Sequence, residues 1–127
     1  MNLLLVFLGG GLGSSLRYWI SGLMAQRFGP SFPWGTLTVN VTGSLIIGFI
    51  ATITATDGRW IVPAAARTFF MIGICGGYTT FSSFSLETLN LARDAEWLYA
   101  GLNILASVAL CLIAVWLGHV LATTFNR

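Results

Sequence analysis

The chain has 127 residues, of which 56% are hydrophobic and 8% charged, with a mean hydropathy of +0.83. So little charge over so much apolar surface excludes a soluble domain of this size and indicates an integral membrane protein. All six basic residues are arginines (Arg17, Arg27, Arg59, Arg67, Arg93 and Arg127), the acids are Asp57, Glu87, Asp94 and Glu96, and no block of like charge points to nucleic acid.

A membrane span needs roughly 20 apolar residues, and four such stretches predict an all-α membrane protein with one domain and spans at 3–25, 36–56, 61–91 and 97–124. The first stretch lacks a basic leader and outruns a signal-peptide core, so it reads as a retained helix. The connectors GPSFPWG (29–35), TDGR (56–59) and ARDAE (92–96) carry turn residues. Trp34, Trp60, Trp97 and Tyr99 stand near span ends, where amphipathic rings settle at the interface.

An even number of spans puts both termini on one side, with Arg59 and Arg127, and leaves Arg27 and Arg93 on the other. That balance gives no preferred orientation by the positive-inside rule. Insertion both ways up predicts an antiparallel, dual-topology homodimer, a two-chain version of the inverted repeats inside larger transporters.

Residues four apart share a helix face, and every span carries a small or polar stripe at that spacing. These are Gly9, Gly13, Arg17 and Ser21; Thr36, Asn40, Ser44 and Gly48; Ser83 and Glu87; and Tyr99, Asn103, Ser107 and Cys111. Small residues by themselves are packing faces. Asn40, Asn103, Glu87 and Arg17 go further, because amide or ionisable groups within spans face the protein interior or an aqueous path. The donors on offer are mostly neutral: amide NH₂ groups, hydroxyls, and the positive edges of Phe81 and Phe84, which lie three apart. Neutral donors can replace the water of a hydrated anion without trapping it, as a buried fixed cation would. Arg17 either attracts anions at a vestibule or pairs with Glu87 or a helix C-terminus, and Glu87 reads as a structural hydrogen-bond partner.

The third span contains GICGGYTTFSSFSLE (73–87), with two adjacent glycines and six hydroxyl side chains. Backbone freed by a helix break has no water to bond in hydrocarbon, so such a break belongs where it is buried in protein or lines a path. A helix broken near the middle of this span would expose carbonyls of Gly76, Gly77 and Thr79, oxygens of the kind that hold Na⁺ in transporters; a plain kink at Gly76 and Gly77 is the other reading. Cys75 and Cys111 read as packing thiols and His119 as a structural histidine. Neither HExxH nor GxSxG occurs, and GGGLG lacks the strand and acid of a dinucleotide site, so the expectation is a protein that is not an enzyme.

The run from Gly13 to Arg17 and Tyr18, GTLTVNVTGS (35–44) and above all GGYTTFSSFSLE (76–87) resemble the Fluc (CrcB) family of fluoride channels, over essentially the whole chain. The resemblance implies an antiparallel homodimer with two pores in a bacterial inner membrane. It would export fluoride that enters cells as HF and is trapped as the anion. Asn40 would be the pore amide, Phe81 and Phe84 the rings whose edges line the pores, and the carbonyls of Gly76 and Thr79 from both subunits a structural Na⁺ site. Arg17 would stand at the vestibule, and Thr36, Ser83, Glu87, Asn103 and Ser107 along a polar track. The fourth span matches less closely: the family also has Tyr at the place of Asn103 and a hydroxyl at that of Cys111. The rival is a small four-helix multidrug or cation exporter, which needs an embedded acid in the first span, where this chain has Arg17. A membrane scaffold is the third reading.

Overall fold

The computed structural model describes residues 2–127 and, among them, consists of helices joined by short loops. Helix α1 (Asn2–Phe28) ends at Gly29, whose positive φ of 80° lets its N–H reach back to the Ala25 carbonyl at 2.9 Å and close the last turn. Helix α2 (Trp34–Ile53) runs back across, and a loop brings the Trp60 N–H to the Ile53 carbonyl at 3.0 Å. The third crossing is composite. It begins with α3 (Ala64–Arg67) behind Pro63, widens into a π-helical stretch (Thr68–Cys75), and closes as α4 (Gly76–Tyr78). After two non-helical residues it resumes as α5 (Phe81–Arg93), and α6 (Trp97–Asn126) makes the fourth crossing. The four crossings, Asn2–Phe28, Trp34–Ile53, Ala64–Arg93 and Trp97–Asn126, are each long and apolar enough to span a membrane.

The break falls at Thr79 (φ −87°, ψ 159°) and Thr80 (φ −155°, ψ 118°), both extended. Gly76 is regular helix (φ −63°, ψ −37°), so the kink is not at the glycines. Their task is proximity. Gly9 of α1 faces Gly73 across the helix contact, Gly13 meets the main chain of Ile74 and Tyr78, and a Cβ on Gly77 would come within 2.5 Å of the Gly10 carbonyl oxygen. Small residues at such contacts let membrane helices touch backbone to backbone. The same device joins α2 to α6, where Gly48 meets the Val115 main chain and Gly118 that of Leu45.

The result is two closely paired layers, α1 against the first half of the third crossing and α2 against α6, with α5 also resting on α6. At the end carrying Arg59, Arg67 and Arg127, arginines tie down carbonyls that helices leave unbonded. Arg59 donates from Nη1 to the Phe125 carbonyl at 2.9 Å and from its backbone to the Asn126 amide oxygen at 2.8 Å, and Arg67 donates to the Thr54 carbonyl. Large apolar side chains cover the outside, as a lipid-facing protein requires.

Candidate functional site

The extended Thr79–Thr80 segment leaves peptide groups outside any helical ladder, and the second crossing supplies their partner. Asn40 donates from Nδ2 to the Thr80 carbonyl at 2.9 Å, and its Oδ1 accepts the Thr80 N–H at 2.7 Å. A carboxamide presents a donor and an acceptor side by side, so it can replace a missing peptide neighbour in full. The Thr80 hydroxyl in turn accepts the Ser83 N–H at 3.1 Å and caps α5. On the other side of the break, Thr79 bonds the Cys75 carbonyl through both its N–H (3.0 Å) and its hydroxyl (2.9 Å). Tyr78, buried, shares a 2.8 Å hydrogen bond with the Thr42 hydroxyl.

Next to the break lies a cavity of about 390 Å³ between α2, the third crossing and α6. Asn40, Ser44, Gly76, Thr79, Thr80, Phe81, Phe84 and Ser107 line it together with apolar groups and both cysteines, and no charged side chain does. The Phe81 and Phe84 rings stand 5.2 Å apart and tilted by 47°; Phe84 is buried, whereas Phe81 is 76% exposed. Six of the expected site residues thus meet here: Asn40, Gly76, Thr79, Phe81, Phe84 and Ser107.

The remaining five lie elsewhere. Ser83 is half-buried, and its N–H serves the α5 cap. Asn103, 1% exposed, donates to the Thr88 hydroxyl at 2.9 Å and accepts from the Ser107 hydroxyl at 3.3 Å, while Thr88 donates to the Phe84 carbonyl at 2.8 Å. This relay fastens α6 to α5 behind the cavity. Thr36 donates to Glu87 Oε1 at 2.7 Å beside a second cavity of about 310 Å³, lined also by Ser21, Asn90 and Asp94. Glu87 Oε2 is sealed from solvent without a partner. Arg17 donates from Nε to the Gly77 carbonyl at 3.0 Å. Of its two readings, the structure shows the contact with a helix C-terminus, where a cation meets the negative end of the helix dipole.

Among known proteins, the chain matches the family described as CrcB-like protein, Camphor Resistance (CrcB), over residues 4–119. The chain belongs to the CrcB family. Relatives include the fluoride-specific ion channel FluC of Paramagnetospirillum magneticum, 62% identical over 97% of this chain and 96% of that protein. Those of Rhodospirillum rubrum (58% identical, 100% of this chain and 98% of the relative) and Opitutus terrae (59%, 97% and 93%) carry the same description.

For a CrcB chain, the two residues that sequence reasoning passed over are Thr80 and Thr88. Thr80 carried a signal: a threonine three residues before Ser83, at the start of an apolar-aromatic run, is the pattern of an N-cap. Thr88 gave none, because its role depends on which face of α6 packs against α5.

Proposed function

We propose that this CrcB-family chain is a fluoride-specific ion channel of a bacterial inner membrane, working as an antiparallel homodimer and exporting fluoride passively. The observation that carries the reading is the uncharged cavity beside the helix break, bordered by the Asn40 amide and the Phe81 and Phe84 rings, in a chain up to 62% identical over nearly its full length to proteins described as fluoride-specific channels. Fluoride holds its water tightly, so a path must offer hydrogen-bond donors in exchange while avoiding a fixed cation that would retain it. Asn40, with one Nδ2 hydrogen beyond the bond to Thr80, supplies an amide donor. Phe81 and Phe84 supply ring edges, whereas the Ser107 hydroxyl donates its proton to Asn103 Oδ1 and must turn from it to serve an anion. Ser83 extends the route along α5, with Thr36 and Glu87 toward its end. Arg17, fixed on Gly77, gives the vestibule a positive potential without entering the cavity.

Dimerisation in opposite orientations is supported by the even arginine balance and by an outside rich in exposed apolar rings, Phe81 among them. The proposed Na⁺ would be held by the carbonyls of Gly76 and Thr79 from two subunits. The donor chemistry fits: α4 stops at Tyr78, so its last carbonyls lack helical partners, and Gly76 is exposed where a second subunit can reach it. A bound Na⁺ would supply neutralising charge and fix the break.

The rival exporter reading requires an acid in the first crossing, and Asn2–Phe28 contains none. The deciding experiment is fluoride efflux from liposomes containing the purified protein. An electrogenic fluoride current well above that of protein-free vesicles is expected, and its absence from folded protein would sink the proposal.

A further inference from the structure

Cys75 and Cys111 line the same cavity as Asn40, Phe81 and Phe84, and both are free thiols. Cys75, at the end of the π-helical stretch, is 4% exposed; Cys111, one turn beyond Ser107 on α6, is partly open. The lining contains no Asp, Glu, His, Lys or Arg. A hard cation therefore finds no carboxylate there, and the sulfurs are its only soft ligands. Two thiols suit a soft d¹⁰ cation that accepts two ligands, and thiolates select such ions over hard ones.

We propose that this cavity binds a thiol-seeking monovalent metal ion of the Ag(I) or Cu(I) class, with Cys111 as the accessible ligand and Cys75 as the buried one, and that binding closes the anion route. This inhibition rests on the fluoride-channel reading; the metal site does not. On binding, each S–H bond breaks heterolytically, its proton passes to water, and a sulfur–metal bond forms with no change of oxidation state. Two thiolates around one monovalent cation leave a net charge of minus one in a cavity with no cationic side chain, and at low local dielectric that charge repels an incoming anion. Hard cations such as Mg²⁺ produce no such effect, because they have little affinity for sulfur, and the Na⁺ proposed above takes carbonyl oxygens, not the thiols.

The test uses the full-length protein in liposomes, in chloride-free buffer so that silver stays in solution. Silver nitrate is the probe, and mass spectrometry of the intact protein is the readout independent of transport. Expected are about one silver ion per chain, a fall in fluoride efflux of at least about tenfold, and recovery on adding excess dithiothreitol. Cys111→Ser should lose both binding and inhibition, and Cys75→Ser should weaken binding by about tenfold or more. Two independently bound ions per chain, or a Cys111→Ser protein inhibited like the wild type, would overturn the proposal. Single-ion binding lost in Cys111→Ser, in a protein without fluoride flux, would uphold the metal site and defeat only the channel reading.

Discussion

The side chain of Asn40 grips the main chain of Thr80 from both sides, donating at 2.9 Å and accepting at 2.7 Å. One residue of the second crossing thereby stands in for the helical neighbours that Thr80 gave up. The same amide borders the cavity, so stability of the break and chemistry of the path depend on one group.

Asn40→Ala removes both bonds and leaves the Thr80 peptide unpaired away from bulk water, at a cost of about 2–4 kcal/mol. Asn40→Asp keeps an acceptor for the Thr80 N–H but sets a carboxylate against the Thr80 carbonyl. Both variants should lose fluoride flux, and Asn40→Ala should also unfold at lower temperature in a detergent melting assay. Wild-type flux and melting in Asn40→Ala would refute the clamp.

Phe81→Ile and Phe84→Ile keep apolar bulk but remove the positive ring edge. Edge contacts contribute about 0.5–1.5 kcal/mol each, so flux should fall by about two- to twelvefold in either variant, with chemical crosslinking still giving the wild-type assembly. Buried Phe84 should also lose melting temperature, whereas exposed Phe81 should lose little.

Gly77→Ala places a methyl group 2.5 Å from the Gly10 carbonyl oxygen and forces the α1 contact apart. Gly101→Ala meets nothing within 4 Å and gains helix propensity, about 0.5–1 kcal/mol. Expression and melting temperature should drop for Gly77→Ala and hold or rise for Gly101→Ala. Equal behaviour of the two would refute close packing as the reason for glycine at 77.

Glu96→Cys, made in a Cys75→Ser/Cys111→Ser background, tests the orientation of the chain. Glu96 is exposed in the turn before α6. A membrane-impermeant maleimide should label about half the population from each side of the membrane if the balanced arginines permit both orientations. Labelling confined to one side would rule out dual topology.

Much of the architecture was legible because a bilayer reduces the question to length and apolarity, and four helices long and apolar enough to cross are what the chain forms. The interruption was legible too, since a run of hydroxyls and glycines has few uses inside lipid. Its position was not: the glycines attract attention as breakers, yet in the folded chain they are helical and spaced for contact with α1, and the threonines beyond them carry the extended backbone. Propensity alone cannot separate a glycine that bends a helix from one that admits a neighbour.

The sequence by itself determined the membrane class, the four crossings and the uncharged character of the polar stripes, because composition and local spacing carry those, and the resemblance of its motifs, above all GGYTTFSSFSLE, pointed to the family. Only the tertiary structure decided which stripe residues meet. Asn40, Phe81, Phe84 and Ser107 share a cavity, Asn103 turns away to Thr88, and Arg17 closes on Gly77. Those pairings join residues from separate crossings, up to 60 positions apart for Arg17 and Gly77. They depend on the rotation and depth at which each helix seats against the next, and side-chain spacing along one helix carries no information about either.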